Sequence, residues 1–321
     1  MKTTESALKR SSTSAHGWAQ IRRPLWSDVY RYRHYYILML PAIVLLIVMR
    51  YVPMAGIVLA FKRYNIQGGI WHSPWAGFRY FQQMIEAPEF TRIMVNTIRI
   101  SALRIGIGFP APILFALMLN EIRKLRLKKF VQTLSYLPHF LSWVVVGGLV
   151  LSMFSLDGPV NHGIRAFGGA PVQFMQEGNS FLAILIGSGI WKSVGWGSII
   201  YLAAISGIDP QLYEAAEIDG AGRIARIRHI TLPSLFPVII TLFILRIGNM
   251  LEAGFDQIFN MYNPLVYSVA DIIDTYVYRT GIVGMRFSFA TAVGLSKNLI
   301  GFGLVLFTNY TVKKLGGSTI T

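Results

Sequence analysis

The chain has 321 residues, of which 53% are hydrophobic and only 14% charged, with a mean hydropathy of +0.48. Soluble domains are about a quarter charged, so an ordinary soluble fold is excluded and long apolar runs have to be tested first as membrane spans. The absence of cysteine removes disulfides, thiolate metal sites and thiol catalysis, and the formal charge of +15 suits either nucleic acid or orientation in a bilayer.

The first stretch, over 1–30, is basic and rich in Ser and Thr without apolar periodicity, and reads as a flexible cytoplasmic tail. The apolar run that follows is too long for a signal-peptide core and has no small-residue cleavage site after it, so it reads as a retained anchor. Six stretches approach the roughly 20 apolar residues that a span requires. They cover 36–61, 93–119, 131–154, 181–205, 235–256 and 287–312.

Sorting the basic residues by these boundaries decides the meaning of the charge. Seventeen fall on one side: seven from Lys2 to Arg33, five from Arg123 to Lys129, then Arg223, Arg226, Arg228, Lys313 and Lys314. Six fall on the other, namely Lys62, Arg63, Arg79, Arg165, Arg279 and Arg286, and the remaining seven lie in or at the edges of spans. The positive-inside rule then places both termini in the cytoplasm and leaves no role for nucleic acid. The expectation is an all-α membrane protein with six transmembrane helices over 31–321. The outer loop from Lys62 to Pro88 carries Trp71, Trp75, Phe78, Tyr80 and Phe81, which suit either the lipid interface or the docking of an external partner.

The cytoplasmic loop over 207–233 is the most informative segment. Asp209 before Pro210 is a helix start, because the carboxylate accepts from free first-turn amides and proline at the first position loses no bond. Leu212, Ala215 and Ala216 give the helix a narrow apolar face beside Glu214 and Glu217, and Asp219-Gly220 breaks it. A second segment, Ala221 to Ile230, carries Arg223, Arg226 and Arg228 and is expected to end at Pro233. This helix-turn-helix is too small to have a core, so its apolar face needs another protein to cover it.

Glu214-Ala215-Ala216, with Gly220 four residues on, Ile230 and Leu232-Pro233, resembles at full spacing the EAA signature of permease subunits of binding-protein-dependent ABC importers. The stretches Phe109–Arg123, Val131–Leu149, Ile190–Trp196, Ile247–Pro264 and Asp271–Ile282 are similar to the carbohydrate-uptake branch, of the LplB type for complex oligosaccharides. The resemblance implies the ABC importer permease fold in a bacterial cytoplasmic (inner) membrane. It also implies a second homologous permease, two ATPase subunits that bind ATP and Mg, and an extracytoplasmic sugar-binding protein. By position, Glu214, Ala215, Ala216 and Gly220 would couple to the ATPase, with Asp219 and Arg223 at the rim. No cofactor is implied for the chain itself.

Charges inside spans are costly and are functional candidates by default. At 100° per residue Arg246, Asn249, Glu252 and Asp256 share a third of the circumference of span five, either lining a sugar path or forming an internal ion-pair network. Arg92, Asn96 and Arg99 make a similar stripe on span two. On span four, four glycines accompany Trp191, Lys192 and Trp196, where aromatic faces suit sugars and glycines suit close packing equally. The path candidates are therefore Trp191, Lys192, Trp196, Asn249 and Glu252. Intramembrane basic residues would suit an acidic, uronate-containing oligosaccharide unless Glu252 and Asp256 neutralise them. The rival readings are a proton-coupled secondary transporter, which does not explain the cytoplasmic loop, an ABC permease for a non-sugar solute, and a membrane enzyme. No catalytic motif supports the enzyme, and GSGIWKS lacks the glycine that a phosphate loop needs before its lysine.

Overall fold

In hydrocarbon a backbone must satisfy its own polar groups, so the apolar runs become helices. The computed structural model describes residues 30–314. The tail expected over 1–30 lies, apart from Tyr30, outside the described residues. Among the described residues, five helices are long and apolar enough to cross a membrane. These are α1 (Arg33–Phe61), α2 (Pro88–Asn120), α5 (Gly178–Ser206), α7 (Arg223–Gly248) and α10 (Phe287–Lys314), numbered in chain order. Between α2 and α5 lie α3 (Leu125–Phe140) and α4 (Trp143–Met153), an apolar pair that meets at 103° across a short break. Short helices follow α5 and α7: α6 (Pro210–Ile218), α8 (Phe255–Met261) and α9 (Ile273–Val277).

Two expectations need correction. The run over 131–154 is not a continuous span, because Pro138 has no amide to donate and the chain tightens to a 3-10 turn over Leu137–Phe140 before Ser142 turns extended and caps α4. The helix expected over 235–256 ends at Gly248, with Asn249 as its cap and Gly254 at φ +87°, so Glu252 and Asp256 do not continue one helical stripe with Arg246. Glycine followed by asparagine is a helix-ending pair, and periodicity counted across it has no meaning.

Helix α2 is the common wall of three apolar clusters. Ile100 packs with Val146, Leu185 and Ile258, Ile93 with Tyr276 and Phe289, and Ile113 with Tyr201 and Leu235. Its expected polar stripe is structural at the centre: Asn96 is buried and donates to the carbonyls of Ser268 and Asp271 at 3.1 and 3.2 Å, while Arg92 and Arg99 are exposed. Asp271, fully buried, accepts two bonds from Arg279 at 2.6 and 3.1 Å and one from Thr275 at 2.8 Å. That pair ties the chain beyond α8 into a closed turn. Ser288 donates to the Lys62 carbonyl at 2.6 Å and accepts from the Tyr64 amide at 3.0 Å, so the first turn of α10 anchors the outer loop.

One face of α5 receives the break between α3 and α4. Lys192 donates to the freed carbonyls of Pro138 and His139 at 3.3 and 2.7 Å, and Trp196 lies flat on the His139 ring at 4.6 Å. Gly195, between them, has the Ser135 backbone so close that a Cβ would overlap it. Residues spaced three and four apart thus form one socket. Lys192→Met keeps the stem and removes the donor, which leaves two carbonyls unpaired at a cost of about 1–3 kcal/mol. The thermal unfolding midpoint of the solubilised protein should fall in Lys192→Met and stay constant in Trp191→Ala, whose ring is half exposed; equal midpoints in both would show that the lysine is not the cap.

Candidate functional site: a cytoplasmic loop and a cavity joined by one helix

The loop over 207–233 folds as a helix-turn-helix. Asp209 accepts from the Gln211 amide at 3.0 Å, and α6 closes at Gly220, φ +76°, with the Ala221 amide donating to the Ala216 carbonyl and the Gly220 amide to that of Glu217. This paired closure needs a left-handed residue, which glycine adopts without strain. Glu214, Ala215, Asp219, Gly220 and Arg223 are all exposed, with Ala216 partly covered. Tyr213 bonds Thr231 across the turn at 2.9 Å and Arg226 pairs with Glu217 at 3.1 Å. Ile218 and Ile224 are 87% and 82% exposed, leaving an apolar face without cover from this chain.

The second helix does not end at Pro233. A π-helical turn over Ile227–Thr231 precedes Leu232, and the chain stays helical through it and past Pro233. α7 therefore runs unbroken from the loop into the membrane.

At its far end α7 borders a cavity of about 520 Å³, lined also by α2, α5, Trp143 of α4 and Gln257 of α8. Phe109, Pro112, Ile200, Tyr201 and Leu242 make an apolar portion, while Arg104, Arg246, Asn249 and Gln257 bring polar groups into the same space. Each interruption of helical regularity in the region contributes to the lining. Arg104 and Gly108 bound a π-helical turn in α2, Asn249 caps the end of α7, and Trp143 starts α4 after the break. π-turns of this kind are frequent at functional sites.

Of the five path candidates, Asn249 alone lines this cavity. Lys192 and Trp196 are engaged at the α3–α4 break. Trp191 is 49% exposed and outside the lining, and Glu252 and Asp256 are exposed as well. The carboxylates on which proton coupling would depend are therefore not in the cavity. Sequence reasoning left Arg104 unassigned and missed Gln257. Arg104 stood inside a span just before Gly106, Gly108 and two prolines, which was the available signal.

Residues 108–315 match the family described as the binding-protein-dependent transport system inner membrane component. The chain is 44% identical to the polygalacturonan/rhamnogalacturonan transport system permease protein YteP of Bacillus subtilis (strain 168) over 92% of each chain. It is 43% identical to protein LplB of the same organism over 87% of this chain and 88% of that one. A solved bacterial alginate ABC transporter, in complex with an alginate pentasaccharide-bound periplasmic protein, contains a chain that superposes with a TM-score of 0.85 at 40% identity, covering 93% of this chain and 100% of that one. The chain is thus a multi-pass permease of the ABC importer fold and belongs to the family of binding-protein-dependent transport system inner membrane components.

Proposed function

We propose that this chain is the permease through which an ATP-driven importer moves an oligosaccharide into the cytoplasm, with the cavity as part of the path and the loop over 207–233 as the coupling element. The observation that carries the reading is the continuity of α7, which joins the exposed loop at Arg223 to the cavity at Leu242, Leu245 and Arg246. From Arg226 to Arg246 it covers about 30 Å at roughly 1.5 Å per residue. The chain stays helical through the π-turn over Ile227–Thr231 and past Pro237, so a partner that pulls the loop acts on the cavity wall along one helical course.

The partner fits an ATPase subunit. Ile218 and Ile224 supply an apolar contact, Glu214 an exposed charge, and α6 is too short to be stable alone. ATP and Mg belong to that partner, since the helix around Lys192 has no phosphate-binding loop and its ammonium is committed to backbone carbonyls. In this reading a second permease, two ATPase subunits and an external sugar-binding protein complete the assembly; the alginate transporter to which the chain is similar is likewise seen with a pentasaccharide-bound periplasmic protein.

Two variants separate grip from shape in the coupling loop. Glu214→Ala should keep α6 folded and lose a charge-assisted contact, of the order of 1.5–3 kcal/mol if it is desolvated in the complex. Gly220→Ala should strain the left-handed turn by about 1 kcal/mol or more and misplace α6. Hydrolysis of ATP by the reconstituted complex, measured with and without sugar-loaded binding protein, should lose its stimulation in both; wild-type stimulation in both would remove the loop from coupling.

Asn249→Ala tests the path. Loss of one hydrogen bond to a sugar hydroxyl is worth about 1 kcal/mol, or several-fold in transport at limiting sugar. Uptake should fall by that amount with the assembly intact, and unchanged uptake would assign Asn249 to capping α7 alone.

A further inference from the structure

The cavity carries two guanidinium groups and no carboxylate in its lining. Arg104 comes from the π-turn of α2 and Arg246 from the end of α7. Neither takes part in any ion pair among the described residues. Glu252 reaches only a separate cleft of about 10 Å³ that the two arginines also border, without pairing with them. Two like charges bordering one cavity repel each other, and the partly buried Arg104 has also lost part of its hydration, a cost that an anion between them would offset.

Arg104 is also held in place. Its Nη2 donates to Gln257 Oε1 at 2.5 Å. Gln257 is 1% exposed, and its Nε2 donates to the Leu185 carbonyl at 2.6 Å and to Ser188 Oγ at 3.0 Å, which fixes the direction of its amide oxygen. Gly254, at φ +87°, lies against the guanidinium, and a Cβ there would overlap it. Arg104 gives a donor to one neutral amide oxygen, and a guanidinium has five N–H donors in a planar fork, so further donors can face a planar anion.

We propose that Arg104 determines specificity by reading a carboxylate carried on a sugar ring of the cargo, with Arg246 as the second cation and Gln257 and Gly254 as positioning residues. This rests on the reading of the cavity as the path. A uronate oligosaccharide presents one carboxylate per ring, which a guanidinium takes with two parallel hydrogen bonds. Phe109 and Trp143 line the same cavity and bring aromatic groups that suit the apolar side of a sugar ring. A neutral sugar leaves both cations unpaired.

The test is equilibrium binding to the complex purified with its partner subunits and without the external binding protein. The probes are a hexuronate trisaccharide and the same trisaccharide with its carboxyl groups reduced to alcohols. The wild type should prefer the acidic form by about tenfold, the worth of one charge-assisted pair. Arg104→Gln should abolish that preference, and Gly254→Ala, which keeps every charge but displaces the guanidinium, should do the same. The inference is overturned if the wild type binds both forms alike or neither, if the preference survives in both variants, or if both variants weaken the two forms equally. Failure of the importer reading looks different: the wild-type complex with its binding protein would show no ATP-driven uptake of either trisaccharide.

Discussion

The structure depends on one constraint, that a backbone within a membrane may leave the helix only where something else satisfies its polar groups. This chain leaves regular α-helix at three places around one cavity: the π-turn of α2, the end of α7 and the break between α3 and α4. At the break the Lys192 side chain takes over the freed carbonyls, while the π-turn and the end of α7 bring the side chains of Arg104, which Gln257 holds, and of Asn249 to the cavity. The irregular positions are therefore also the polar positions, and the same substitutions that open the helices furnish the cavity.

The coupling proposed for the loop would draw on the opposite property. α7 keeps its helical course through a π-turn and Pro233 and joins the exposed loop to the cavity. The loop at its end is held by short-range bonds, Tyr213 to Thr231 and Arg226 to Glu217, and exposes Ile218 and Ile224. A loop that is rigidly joined to its helix but unburied on its other face is suited to taking force from a partner. Beyond α8, the Asp271–Arg279 pair gives the chain a second fixed point, and hydrogen bonding to Asp271 keeps that guanidinium protonated well above its ordinary range.

The sequence by itself determined the membrane class, the orientation of the loops, the helix start at Asp209 and the turn at Gly220. These depend on composition, on the count of basic residues and on interactions within a few positions, all of which a linear reading contains. The family resemblance likewise rested on local spacing around Glu214. What only the tertiary structure decided was the use of each polar residue inside the membrane. Helical periodicity put Glu252 and Asp256 on one stripe with Arg246, but Gly248-Asn249 ended the helix first. Trp191, Lys192 and Trp196 looked like sugar ligands, yet Lys192 and Trp196 serve a break some 50 residues earlier in the chain, a partnership across separations of 53 and 54 positions for the lysine. Arg104 and Gln257 meet across 153 positions. An unpaired donor inside a bilayer is equally compatible with a ligand and with a distant carbonyl, and the packing of α2, α5 and α8 is what separates the two.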